Sequence, residues 1–145
     1  MWNALSKHAP VELALDNEHR HLNELLNVVR HQLLYGAPVS KQLIALQTME
    51  AYLQVNCMSE EMIMDDCSFP LSRAHKEEHR AHCKALRGIE ANIRASSVDD
   101  ALAGLMALHQ VLLAHIRDQD QDIVDWKIFQ IRCETLAVRS RSKMH

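Results

Sequence analysis

Four stretches of this sequence repeat apolar residues at alternating steps of four and three, the period of one face of an α-helix. The first runs through Leu15, His19, Leu22, Leu26, Val29 and Leu33. The second carries Leu46, Met49, Leu53, Asn56, Glu60 and Ile63, and the third His75, His79, His82, Leu86, Ile89 and Ile93. The fourth carries Ala101, Leu105, Leu108, Leu112 and His115, with Asp120 near its far end. Breaks fall at Tyr35-Gly36-Ala37-Pro38, at Ser68-Phe69-Pro70 and at Ala95-Ser96-Ser97, where Ser97 and Asp100 have the spacing of a capping box. Only three Gly and three Pro in 145 residues leave little material for a turn-rich β fold. The prediction is an all-α, up-down-up-down four-helix bundle spanning about residues 11–125 of a single domain. Residues 126–145 form either a helical extension or a basic tail, with Lys127, Arg132, Arg139, Arg141 and Lys143 against one acid, Glu134.

The stripes contain residues that do not belong on a buried face. His19, Asn56, Glu60, His75, His79, His82 and His115 all interrupt them. A single buried histidine is ordinarily a hydrogen-bonded core residue, but here polar groups interrupt all four helices. Burying an unpartnered carboxylate costs several kcal/mol. A shared cation offsets that cost and takes neutral imidazoles as ligands. His75 and His79 are four apart and project from one face, and two histidines with a carboxylate are a common non-haem iron(II) ligand set. Asp120 lies five residues after His115, about 140° around an α-helix, where it leans toward the site without overlaying the histidine. The four cysteines, Cys57, Cys67, Cys83 and Cys133, lack CxxC spacing and read as reduced, buried thiols. No GxSxG elbow accompanies the histidines, which argues against nucleophilic hydrolysis.

Other classes are disfavoured by composition. A net charge of -3 gives no electrostatic reason to expect nucleic acid. No run of eighteen apolar residues exists to span a membrane, and MWNALSKHAPVELALDNEH lacks an apolar stretch of signal-peptide length. The expected location is cytoplasmic.

Taken in order, these motifs resemble the hemerythrins and bacteriohemerythrins over roughly Leu15 to Asp120. LDNEHRHL is similar to the family's opening aspartate-x-x-histidine and implies His19 as a ligand. YLQVNCMSEEMIMDDCSFPLSRAHKEEH resembles the family segment that supplies a bridging glutamate and then His-x-x-x-His, implying Glu60, His75 and His79. LLAHIRDQD is similar to His-Ile-x-x-x-Asp, implying His115 and a bridging Asp120. The resemblance implies two irons, one held by three histidines and both carboxylates. The other, which binds oxygen, is held by two histidines.

Three positions depart from the family pattern. Asn56 stands where the family has a ligand histidine, and Cys57 and His82 stand where it has phenylalanines. His19 is then the only histidine left to the oxygen-binding half. Asn56 is a weak oxygen donor or a buried amide bonded to His19 or Glu60. Otherwise the second position is empty or holds another metal, or His82 supplies the missing imidazole. His82 also reads as a core histidine bonded to a carbonyl, and Cys57 reads as a small buried hydrophobe more readily than as a ligand.

The function implied by the resemblance is to bind or sense O2, or a related molecule such as NO, without a catalytic residue. Leu22, Leu112 and Ile116 form the apolar wall of its pocket. The alternatives are a peroxidase- or oxidase-like redox enzyme at a mononuclear or mixed-metal site, and a metal-responsive regulatory module. Trp126, Phe129 and Ile131 are the candidates for contact with a partner protein or a second copy.

Overall fold

A computed structural model describes the backbone of residues 9–144 and the side chains of residues 16–144. The side chains of Leu15 and His145, and the segment ahead of residue 9, lie outside the described residues. The elements are α1 (Ala9–Leu34), α2 (Val39–Asp66), α3 (Ser72–Arg94), α4 (Val98–His115) and α5 (Gln121–Ser142), with a π-helical segment, Ile116–Asp120, joining α4 to α5. Each of the first four helices packs on its sequence neighbour, and α4 closes against α1. Short connections and this cyclic order give the up-down-up-down bundle that the stripes predict.

The three loops between α1 and α4 use one device. Gly36, Ser68 and Ser96 each have positive φ, at 64°, 51° and 56°. After each of them a backbone N–H reaches back to the preceding helix: Ala37 to Gln32, Phe69 to Met64 and Ser97 to Asn92. This is the Schellman arrangement, which satisfies carbonyls left open at a helix end. Ser97 is the N-cap of α4, as its spacing predicts, but its hydroxyl donates to the Asp100 carboxylate at 2.6 Å instead of capping a backbone N–H.

Two apolar clusters lie along the bundle axis. The larger includes Leu26, Leu33, Leu46, Leu53, Leu86, Ile93 and Leu105. The smaller joins Met64, Cys67, Phe69 and Ile123, with Ile63 and Trp126 packed against it. The sequence places Glu60, His79 and His115 between them, so the polar groups occupy a sealed middle layer. Each fully buried Leu or Ile contributes about 1.5–3 kcal/mol, and this burial is what holds the layer shut.

The last helix continues well past the bundle. The indole N–H of Trp126 and the amide of Gln130 both donate to the Cys67 carbonyl, at 2.8 and 2.6 Å. Trp126 is therefore half-turned into the fold, whereas Phe129, Leu136 and Val138 are exposed. The cysteines depart from the sequence expectation. Cys57 and Cys67 are buried, but Cys83 is half-buried and Cys133, on the projecting part of α5, is exposed. No described helix is long and apolar enough to cross a membrane.

Candidate metal centre

Glu60 is the middle of the polar layer and is fully buried. Its Oε2 lies 3.0 Å from His75 Nε2, 2.9 Å from His79 Nε2 and 3.9 Å from His115 Nε2. Its other oxygen, Oε1, lies 3.3 Å from His19 Nε2. Asp120 divides its oxygens in the same way. Oδ1 is 3.1 Å from His115 Nε2 and 3.3 Å from His75 Nε2, while Oδ2 is 2.9 Å from His19 Nε2. Both carboxylates therefore give one oxygen to a three-histidine side and the other to a side with His19 alone.

Asp120 reaches this place because the helix changes pitch. On an α-helix, a residue five after His115 would point well off the site. The π segment Ile116–Asp120 replaces i→i+4 bonding with i→i+5, so the fifth residue returns under the first. Asp120 thus joins the site as the sequence expects, and the extra residue in the turn brings it closer under His115 than the 140° offset of a regular α-helix allows.

The donor set fits a cation. The Nδ1–H of His79 donates to Glu61 Oε1 at 3.0 Å, and that of His115 donates to Glu78 Oε2 at 2.9 Å. With the proton held on Nδ1, a neutral ring turns its Nε2 lone pair inward, toward carboxylate oxygens that also offer only lone pairs. His115 Nε2 and both Asp120 oxygens are buried without a hydrogen-bond partner. Lone pairs crowded in this way need either protons or a metal between them. One ligand atom from each of Glu60, His75, His79, His115 and Asp120 lies within 4.8 Å of all the others.

Without metal the layer is resolved by protons. Burial alone would pull His115 down, but Asp120 and Glu60 outweigh it and lift the imidazole to about 10. The same balance lifts His19 to about 9. Burial pushes Asp120 up, and His115, His19 and His75 more than reverse this, holding it at about 2. Glu60 is driven further below the carboxylate range by the imidazoles around it, against its own burial.

The outer carboxylates follow a rule that the sequence reading missed. Glu18 precedes His19 in the chain and accepts from Asn56 Nδ2 on α2 at 3.2 Å. Glu61 follows Glu60 and holds His79 on α3; Glu78 precedes His79 and holds His115 on α4. Each therefore adjoins an inward-facing residue of its own helix and serves the next helix around the bundle. Carboxylates that fix the far nitrogen of a ligand histidine are the usual supports of metal sites.

The hemerythrin HHE cation binding domain family matches residues 13–126, most of the chain. The chain belongs to the hemerythrin family. Among its relatives are the bacteriohemerythrins of Pseudomonas paraeruginosa (strain DSM 24068 / PA7) and of Pseudomonas aeruginosa (strain LESB58). Each is 28% identical over 112 residues, covering 77% of this chain and 71% of the relative. No solved structure gives a significant match. The chain is thus a non-haem iron-binding domain of the hemerythrin family, and its cluster of Glu60, His75, His79, His115 and Asp120 could hold metal.

Within this hemerythrin fold the three departures separate. Asn56 is buried and turns its amide N–H to Glu18, not to His19 or Glu60. Cys57 packs in the larger apolar cluster, and burial together with the charge of Glu60 pushes its thiol far up, away from the thiolate that a metal would need. His82 sits on the three-histidine side, edge-on to His115 with ring centroids 4.8 Å apart, and groups with Glu78 and His115. It bonds no carbonyl through Nδ1, which is buried without a partner, and burial next to His115 lowers it to about 4. Leu22, Leu112 and Ile116 line a cavity of about 20 Å³ that has His19 in its wall. That is room for one water-sized molecule.

Proposed function

We propose that this chain binds O2, or a related diatomic such as NO, at non-haem iron held by His19, Glu60, His75, His79, His115 and Asp120. The observation that carries this reading is the division of both buried carboxylates between a three-histidine side and His19. The small apolar cavity of Leu22, Leu112 and Ile116 adjoins the His19 side, and Asn56 leaves that side one imidazole short. The relatives are named bacteriohemerythrins, which supports the same chemistry. Iron bound there supplies the redox-active centre for a diatomic ligand. The protein's part is to orient neutral imidazoles, through Glu61 and Glu78, and to exclude bulk water with its leucines. His75, His79 and His115 define the stronger position, and His19 with Asn56 the weaker.

Anaerobic loading with iron(II), a metal count per chain, and titration with O2 followed by absorption test this. The expected result is bands that form with O2 and disappear on its removal, with more iron lost in His75→Ala than in His19→Ala. Irreversible bleaching with turnover of a reductant would replace the reading with a peroxidase- or oxidase-like enzyme.

A further inference from the structure

The core-facing stripe of α2 is matched by a second apolar stripe on the opposite side of the same helix. Ile44, Thr48, Ala51, Val55, Met58 and Met62 follow steps of four and three, and all are exposed. Ile44 is 63% exposed, Val55 53%, Met58 63% and Met62 65%. Scattered apolar residues on a surface need no explanation, but a continuous heptad seam does. A helix that is apolar on two opposite faces has partners on both. Among the described residues, the bundle covers only one of them.

We propose that this outer face of α2 pairs with the same face of a second copy of the chain, as an antiparallel helix pair about a two-fold axis. The sequence of the seam is complementary to itself in that direction. Extending the same steps outward reaches Lys41 at one end and Asp65 at the other. In the antiparallel register Lys41 meets Asp65 of the second copy, Ile44 meets Met62, Thr48 meets Met58 and Ala51 meets Val55. Opposite charges close both ends, and every pair between them is uncharged. The flanking positions agree. Gln47, Gln54, Tyr52 and Ser59 are uncharged, and the acids Glu61 and Asp66 fall opposite Ser40 and Ala45, so no like charges meet. A parallel pairing would set Lys41 on Lys41 and Asp65 on Asp65.

Asp65 already accepts from Lys76 of its own chain at 2.8 Å, and a carboxylate has lone pairs for a second donor. The seam spans about 36 Å of helix. A single helix pair of that length lies at the small end of specific interfaces, so the dimer is concentration-dependent, with Kd on the order of micromolar.

The test uses the full, metal-loaded chain in sedimentation equilibrium from about 1 to about 200 µM, bracketing that Kd. The expected result is a monomer–dimer equilibrium that Val55→Glu weakens at least tenfold while leaving the far-UV circular dichroism and metal content unchanged. Register is read by cross-linking in a Cys133→Ser background. Thr48→Cys with Met58→Cys gives a disulfide-linked dimer on non-reducing gels, and Thr48→Cys with Met62→Cys does not. A monomer at every concentration overturns the proposal. So does a dimer that ignores Val55→Glu and fails to cross-link in register, because its interface is elsewhere.

Discussion

Removing the Glu78 carboxylate weakens metal binding without dismantling the site. Glu78 Oε2 accepts the Nδ1–H of His115 at 2.9 Å, which leaves Nε2 free to face Glu60 and Asp120. Adding that bond, the width of the ring and a metal–nitrogen bond of about 2.1 Å puts the carboxylate about 7 Å from a divalent ion on Nε2. The Glu78 side chain is 43% exposed, so water screens it heavily. At a dielectric of about 80, one negative charge and a divalent ion at that separation attract by about 1 kcal/mol. Glu78→Ala should therefore lower iron(II) affinity roughly tenfold, the lower end of the 10- to 100-fold loss typical of such supporting groups. Glu78→Gln keeps an acceptor and the side-chain volume, and should recover part of the loss. The assay is anaerobic competition against a chromophoric chelator, with circular dichroism to confirm the bundle. Affinity equal to wild type in Glu78→Ala would refute the tautomer argument. A loss as large as that of Glu60→Ala would mean that Glu78 is a ligand, not a support.

Other expectations follow from the same structure. Asn56→His should raise the metal content toward two per chain by elemental analysis, because Glu18 already stands where Glu61 and Glu78 stand for His79 and His115; an unchanged count contradicts it. In the metal-free protein, His115 and His19 titrate at about 10 and about 9, above their unfolded value of 6.5. Their contribution to stability is complete below 6.5 and is lost as pH rises through 9 to 10. Asp120, lowered from 3.8 to about 2, contributes above 3.8 and loses that contribution as pH falls through 2. His82, lowered from 6.5 to about 4, contributes above 6.5 and loses that contribution as pH falls through 4. Thermal melts of the apo-protein should therefore peak at about pH 6, and a midpoint that climbs from pH 7 to 10 would contradict the assignment. Ser96→Gly removes a serine from a left-handed turn at φ 56° and should stabilise the bundle by about 0.5–1 kcal/mol in urea unfolding.

The bundle and most of its inward-facing polar residues were legible because burial makes misplaced groups conspicuous. A glutamate at position 60 or a histidine at position 79 stands out on a stripe of leucines. The outer carboxylates gave no such signal. Glu61 and Glu78 look like solvent-facing acids, and only three dimensions show that each points across to the next helix. Their adjacency to Glu60 and His79 was the one available clue. The family pattern placed Asp120 at the site, whereas spacing at a constant helical pitch put it well around the helix from His115, because the π segment has no signature in the sequence. Asn56 was recognised as a departure from the family pattern, yet its partner Glu18 could be found only from the pairing of α1 with α2.

Between His115 and Asp120 the chain carries one residue more than an α-helix would use for the same step. Everything downstream is thereby set out of phase with α4, by about 100° of rotation. The same offset that slides the Asp120 carboxylate under His115 also decides which way α5 faces. It turns Ile123 and Trp126 onto Phe69 and aims Phe129, Leu136 and Val138 outward. Deleting one residue from the segment would not merely move a carboxylate; it would turn the whole projecting rod on its axis. The interior of the bundle and the orientation of its outermost arm are thus two readings of one counting error in the helix.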